Sequence, residues 1–447
     1  MSPRSIVHCV VSILVSLSVS RAALAQEAPP APPPVPAEGT PDARVDALEK
    51  RLADLEKKTA EQQVPANPQA DGTQRKGILA FSNETVSVRF RPLLQADGRA
   101  FVQGGVNQFL ARKVRPALEA TFFDRFDVRV TPEFASGTAT AIDAYANLKI
   151  VPELQVRAGK FKSPFSLERL VQDSDTLFTE RSLTSTLSPD RDIGVQVHGE
   201  LLEGTIAYAG GVFDGALDNQ QLDTDTDDRK DIEGRIFVRP FAATSLKPLQ
   251  YLGFGIAGTS GQHNGAPATW KSVGQQTIFS FAADAGASGS ERRVAPQAYW
   301  YVGPFGIYAE YVRVSENIRR VAGAAGRVNA EAFDIAASFL VTGENATYAT
   351  VNPRTTFDPL HGKWGALEIK ARISRLKVGQ DTFDRQLADG GKSISRATEL
   401  GTGISWHLAP AIKLVADYFV TKFEGGGGKG ANRDTEKVFI GRFQIGY

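Results

Sequence analysis

The chain has 447 residues, with 51 basic against 50 acidic side chains, five histidines and a single cysteine. This near-neutral balance gives no bulk attraction for nucleic acid, so any ion preference has to come from where the charges sit. Mean hydropathy is −0.20, and no run of about 18 or more apolar residues exists outside the extreme N-terminus. Helical membrane spans are thereby excluded, but a span built from strands is not.

Residues 1–25 read as a secretory signal. Arg4 supplies the positive start, residues 6–19 are apolar with serines, and Ala23-Leu24-Ala25 fits the small-x-small cleavage rule. Cys9 lies inside this segment, so the processed chain carries no thiol and gains no disulfide in an oxidising compartment. Removal takes away Arg4 and Arg21 and no acid, which leaves the chain near neutral.

Residues 26–40 form a Pro-rich spacer. Over 41–63 the pattern becomes helical. Val45, Leu48, Leu52 and Leu55 repeat as the a/d seam of a short coiled coil, and Asp46/Lys50 and Asp54/Lys58 pair four residues apart. Two heptads are too short to associate alone, and a solvated helix is the other reading of the same stripe. Residues 64–76 make a second polar linker.

From residue 77 to 447 the texture is that of long amphipathic strands. Leu367, Ile369, Ala371 and Ile373 alternate with Glu368, Lys370, Arg372 and Ser374. Val86, Val88 and Phe90 alternate with Ser87, Arg89 and Arg91, and Ile412, Leu414, Ala416, Tyr418 and Val420 with Lys413 and Asp417. At the end of the chain, Phe439, Gly441, Phe443, Ile445 and Tyr447 share one face, and Val438, Ile440, Arg442 and Gln444 the other. Charges of both signs facing inward would be ruinous in a dry core and cost little in a wet lumen. The fold class predicted is therefore all-β, a transmembrane antiparallel barrel. At roughly 20–25 residues per strand with its share of loop, about 16 strands are expected.

Turns of two lengths are expected. Short ones such as Ala409-Pro410-Ala411 and Gly303-Pro304 suit a periplasmic rim. Long polar ones at 214–229, 258–274, 316–327, 380–395 and 424–436 suit the outside. The stretch from Arg157 to Val195 differs from all of these, because it mixes Phe165 and Phe178 with Glu168, Arg169, Glu180 and Arg181. It is expected to fold back into the lumen as a constriction loop, with Arg169 and Arg181 bracing Glu168 and Glu180.

Other motifs carry little. Gly391-Lys392-Ser393 lacks the preceding glycine of a phosphate-binding loop, position 386 being Gln. The acidic run 223–231 lacks the spacing of a calcium-binding loop, and the histidines are isolated. No metal, cofactor or catalytic set is called for, and no enzyme activity is expected.

GKFKSPFSLERL (159–170), TERS (179–182), PDRDIGVQVHG (189–199), SFLVTGE (338–344), WGALEIKARIS (364–374) and GTGISWHLAPAIKLVADYF (401–419), together with LLQADGRAF (93–101) and ARKVRPAL (111–118), resemble the phosphate-selective porin O and P family. The resemblance implies a 16-stranded homotrimeric channel in the bacterial outer membrane, surrounded by lipid, that passes small anions such as phosphate and related oxyanions. It also implies positions. The family's basic pair falls on Arg112 and Lys113, with Arg115 two residues further on, and its strand-borne arginine on Arg235. Its inward acid falls on Asp143, and its constriction lysines on Lys160 and Lys162. With Arg89 and Arg91, these basic residues are the expected anion-lining set, and Asp143 the acid that moderates it. Only Glu233, Arg235 and Arg239 stand where a dense arginine run would be, so general anion preference is expected over a tight phosphate ladder.

For each basic residue the competing role is an ion pair that stiffens the wall, as Glu119 and Glu133 near Arg129 and Arg115 suggest. Lys162 has no acid at its nearest same-face positions and is assigned to the pore. A porin of different selectivity, or a tether between envelope layers, remains the alternative function.

Overall fold

The computed structural model describes residues 78–446 apart from 136, 221–227 and 322. The signal, spacer, coiled-coil and linker readings over 1–76, and Tyr447, lie outside the described residues. The first half contains β1 Ile78–Ser82, β2 Val86–Gln103, β3 Gln108–Phe122, β4 Phe126–Glu133, β5 Thr140–Val151, β6 Leu154–Lys162, β7 Arg191–Leu201, β8 Ile206–Phe213, β9 Asp231–Val238 and β10 Leu252–Gly265. The second contains a hairpin, β11 Trp270–Lys271 and β12 Thr277–Phe279. It continues with β13 Ala285–Val302, β14 Phe305–Arg320, β15 Ala325–Leu340, β16 Ala366–Val378, β17 Ile394–Ala409, β18 Ile412–Gly425 and β19 Glu436–Gly446. Two short helices, α1 Leu167–Leu170 and α2 Asp381–Asp384, lie in connections.

Each strand pairs antiparallel with its sequence neighbour, and the ring closes where β2 meets β19, with Ile445 opposite Leu94 and Val438 opposite Phe101. Strands β2–β10 and β13–β19 thus make a closed 16-stranded barrel, which leaves no unpaired edge for the bilayer to face. β1 takes the same edge of β2 as β19 but nearer its start, with Ile78 opposite Phe90. The two-residue periodicity is as the sequence predicts. Ile369, Ile404 and Phe443 stand exposed on the outside, while Arg372, Ser405 and Arg442 are buried within.

One end carries the short turns at 123–125, 152–153, 303–304 and 410–411, and Gly303 there adopts φ 51°, as tight hairpins require. The other end carries the long connections 163–190, 214–230, 266–284 and 379–393. Two expected loops are corrected. The stretch 316–327 is mostly strand, with Asn317 opposite Arg327, and β10 runs on to Gly265. Polar residues continue these strands because, above the hydrocarbon layer, an outward face meets headgroups and water. A third difference is the connection 341–365, which is long yet lies at the short-turn end.

The lumen is filled over one wall. Phe165, Leu183 and Leu187 from the connection 163–190 pack with Trp270, Phe279 and Leu387 from other long connections, against Val312, Val314 and Leu376 of the barrel. Apolar side chains in these connections have no lipid to face, so burial against the wall is what draws them inward.

Candidate pore constriction

The connection 163–190 lies across the lumen and is stitched to the wall by complementary groups. Wall donors hold its carbonyls. Lys162 Nζ donates to Val171 O (2.6 Å), Gln95 Nε2 to Asp173 O (2.9 Å), Gln444 Nε2 to Ser174 O (2.8 Å), Lys413 Nζ to Thr176 O (3.2 Å) and Arg372 Nη1 to Glu180 O (2.9 Å). Wall acceptors take its amides. Leu167 N donates to Glu310 (2.7 Å), Thr179 N to Asp417 (2.7 Å) and Leu183 N to Ser374 Oγ (3.1 Å). At this depth an unmade hydrogen bond would cost about 1–3 kcal/mol, so each alternating polar residue on the inner wall fixes a segment of loop.

Two loop carboxylates act as hubs. Asp173 meets Lys113 (2.6 Å), Arg181 (2.7 Å), Arg191 (3.5 Å) and Arg115. Glu180 meets Arg112 (2.8 Å), Arg442 (3.9 Å) and Arg99. Burial by itself would raise both carboxyls. The guanidinium of Arg112 outweighs it at Glu180, and Lys113 with Arg115 outweighs it at Asp173, so both are held well below the usual carboxylate range.

A second inward element comes from the short-turn end. In the connection 341–365, Tyr348 Oη donates to Leu167 O, Thr350 Oγ1 donates to Asp175 Oδ1 (2.9 Å), and the Tyr348 ring stacks on Tyr299 at 5.5 Å. This arm meets the constriction loop inside the barrel.

Open space lies along β2–β7, and a further cavity of about 40 Å³ lies between the loop, Tyr348 and the opposite wall at Tyr308, Glu368 and His407. Toward the short-turn end a cavity of about 310 Å³ is lined by Arg89, Arg91, Arg129, Lys149 and Arg157 against Glu119, Asp127 and Glu200. A smaller cavity of about 40 Å³ continues beside Arg91, Arg115, Arg191, Asp143 and Asp173.

With a closed barrel, a lumen loop and a charged path in place, comparison with known proteins is specific. The phosphate-selective porin O and P family matches residues 95–444. The chain belongs to that family. Its members' home, the bacterial outer membrane, is this porin's as well. No curated protein sequence matches the chain significantly. Among solved structures, an anion-selective porin from Comamonas acidovorans is similar at 12% identity, covering 81% of this chain and 100% of that one, with a TM-score of 0.52. The outer membrane channel DcaP of Acinetobacter baumannii matches at 10% identity over 82% of this chain and 100% of that one (TM-score 0.54). OmpT of Vibrio cholerae matches at 13% identity over 83% and 99% (TM-score 0.54). At such identities these likenesses show the fold.

In this porin the expected residues divide by partner. Arg112, Lys113 and Arg115 are each tied to a carboxylate of the loop. Arg115 also meets Glu133 at 2.6 Å, and Arg91 meets Glu119 at 2.7 Å. Asp143 is inward and bonded to Arg191 (2.8 Å). Arg89 lines the vestibule. Lys160 is buried, in register with Ala144 and Ile193. Arg235 is buried over the Phe237 ring, its Nε donating to Gln297 at 2.9 Å.

Three assignments are corrected. Lys162 anchors the loop through the Val171 carbonyl, a partner no strand pattern could reveal. Arg169 pairs with Asp190 (3.3 Å) and Arg181 with Asp173, not with Glu168 and Glu180. Glu168 instead accepts from Ser182 N (3.0 Å), Ser182 Oγ (2.7 Å) and Ser185 Oγ (2.8 Å), because the chain doubles back and brings those donors closer than any cation of the loop. Sequence reasoning missed Asp173, Arg157 and Arg191. Arg191 had a signal, lying in the PDRDIGV segment beside the loop.

Proposed function

We propose that this porin passes small hydrophilic solutes by diffusion with a preference for anions, phosphate among other oxyanions, and that it works as a homotrimer. The observation that carries the reading is the vestibule, where five basic side chains face three acidic ones. In a confined space that salt screens poorly, such an excess raises the local concentration of anions. The anion-selective character named for the Comamonas relative, and the trimer form recorded for Vibrio OmpT, support the two parts of the proposal. Preference for phosphate over other anions is weak on this reading. At the constriction, Asp173 and Glu180 already engage the cations that a tight oxyanion site would need, and a loosely held anion leaves readily. The reversal potential of the reconstituted porin across a potassium chloride gradient tests it. A potential on the chloride side is expected, and one on the potassium side would refute the proposal.

A further inference from the structure

The outward face of β13–β18 changes character abruptly toward the long-loop end. Below the change, β15 shows Phe339, Ala337 and Ile335, and β16 shows Leu367, Ile369, Ala371 and Ile373. Above it, strand register sets Arg313 opposite Glu331, Glu331 opposite Lys377, and Lys377 opposite Arg396, one row across four strands. The next row toward the apolar band runs Phe333, Arg375, Thr398, Lys422. Side chains paired this way stand about 4.5–5.5 Å apart at Cβ, so the two rows form one patch.

The patch is basic and largely uncompensated. Arg313, Arg375 and Lys422 are exposed, and none of the three forms an ion pair with a carboxylate among the described residues. Its acids are engaged, Glu424 with Arg396 at 2.6 Å, and Glu331 with the Tyr311 hydroxyl at 2.8 Å and Lys377 at 4.0 Å. The Arg375 guanidinium lies 5.8 Å from the Phe333 ring centre, and its Nε donates to Thr398 Oγ1 (3.2 Å). The row Val128, Ala146, Ala158, Val195 and Val212 across β4–β8 is uncharged.

We infer that this face docks the phosphorylated headgroup of a lipid in the outer leaflet. Acyl chains lie on the apolar rows, and phosphate oxygens reach Arg313, Arg375 and Lys422. Two arguments select a lipid. The patch borders the apolar band directly, so a ligand with both a phosphate and a hydrocarbon part satisfies both surfaces at once. Arg313, Arg375 and Lys422 stand on alternate strands, roughly 10 Å apart, a spread that a headgroup with more than one phosphate can span, and a guanidinium fork donates to two phosphate oxygens in its plane.

The test uses the porin purified in detergent, titrated with bisphosphorylated lipid A, with the same lipid after dephosphorylation, and with inorganic phosphate. Thermal unfolding and native mass spectrometry are read together. Bisphosphorylated lipid is expected to bind at least tenfold more tightly than the dephosphorylated form. The variant Arg313→Glu/Arg375→Glu/Lys422→Glu is expected to lose that difference while keeping wild-type reversal potential. The milder Arg375→Gln, expected to weaken binding partway, covers the case in which the triple variant does not fold. Equal binding of both lipids, retained discrimination in the folded variants, or binding of inorganic phosphate as tight as that of the lipid would each overturn the inference. So would dissociation of an otherwise folded oligomer on charge reversal, which would make the face a subunit contact. Because conductance is measured separately, failure here leaves the anion-channel reading standing, and the converse holds.

Discussion

Asp173 of the constriction loop lies 2.6 Å from the Lys113 ammonium of the barrel wall, and the same carboxylate also meets Arg181, Arg191 and Arg115. One negative charge faces four positive ones. The loop carboxylate therefore offsets positive charge of the inner wall, while Lys113, Arg115 and Arg191 of the wall hold the loop in place.

Asp173→Asn tests that balance. It removes the carboxylate at the centre of the hub and leaves the four cations, so reversal potential should move further toward anions. Breaking a buried pair typically costs about 3–5 kcal/mol, so thermal unfolding should fall as well. A shift toward cations would show that the hub does not face the conducting path.

The depressed carboxyls of Asp173 and Glu180 set a direction with pH. Their folded values lie below the ordinary ones of about 3.9 and 4.3. The stability they contribute is fully present above those ordinary values, and is lost only as pH falls through the lowered folded ones. Single-channel recordings between about pH 7 and pH 5 should show no step from loop release. A conductance jump within that window that vanished in Glu180→Gln would contradict this account.

Position should matter more than charge count. Arg157→Glu, in the vestibule, should move reversal potential toward cations. Lys392→Glu, on a side chain 81% exposed in a long-loop connection, should barely move it, because salt screens an outer charge within about 8–10 Å. Equal shifts from both would place selectivity in the field of the whole outer surface.

The barrel was legible because its signal is local. Ile369 and Lys370 point to opposite sides whatever surrounds them, and the two-residue period survives every change of partner. The loop's inward course was legible from Phe165 and Phe178, whose rings need a buried surface. The partners were not legible. Lys162 looked free because a strand pattern shows only neighbours on strands, while its acceptor is a carbonyl of the doubled-back loop. Glu180 looked paired with Arg181, its neighbour in sequence, yet Arg112, 68 positions away, comes closer across the lumen. Separation in sequence carries no information about which charges a closed ring brings together.

The arm at 341–365 left no sequence signal at all, and it yields the sharpest structural prediction. Tyr348 enters from the short-turn end and bonds the Leu167 carbonyl while stacking on Tyr299. Tyr348→Phe keeps the stacking and removes a hydrogen bond of about 1 kcal/mol, so it should raise current noise with little change in mean conductance. Replacing residues 345–352 with a short glycine linker removes Tyr348 and Thr350 together, and with them both hydrogen bonds to the loop. Conductance should then rise, since the apolar wall behind the arm would open to water. Unchanged conductance in a variant that still inserts would mean that the arm packs against wall the solute never uses, and that the path lies wholly along β2–β7.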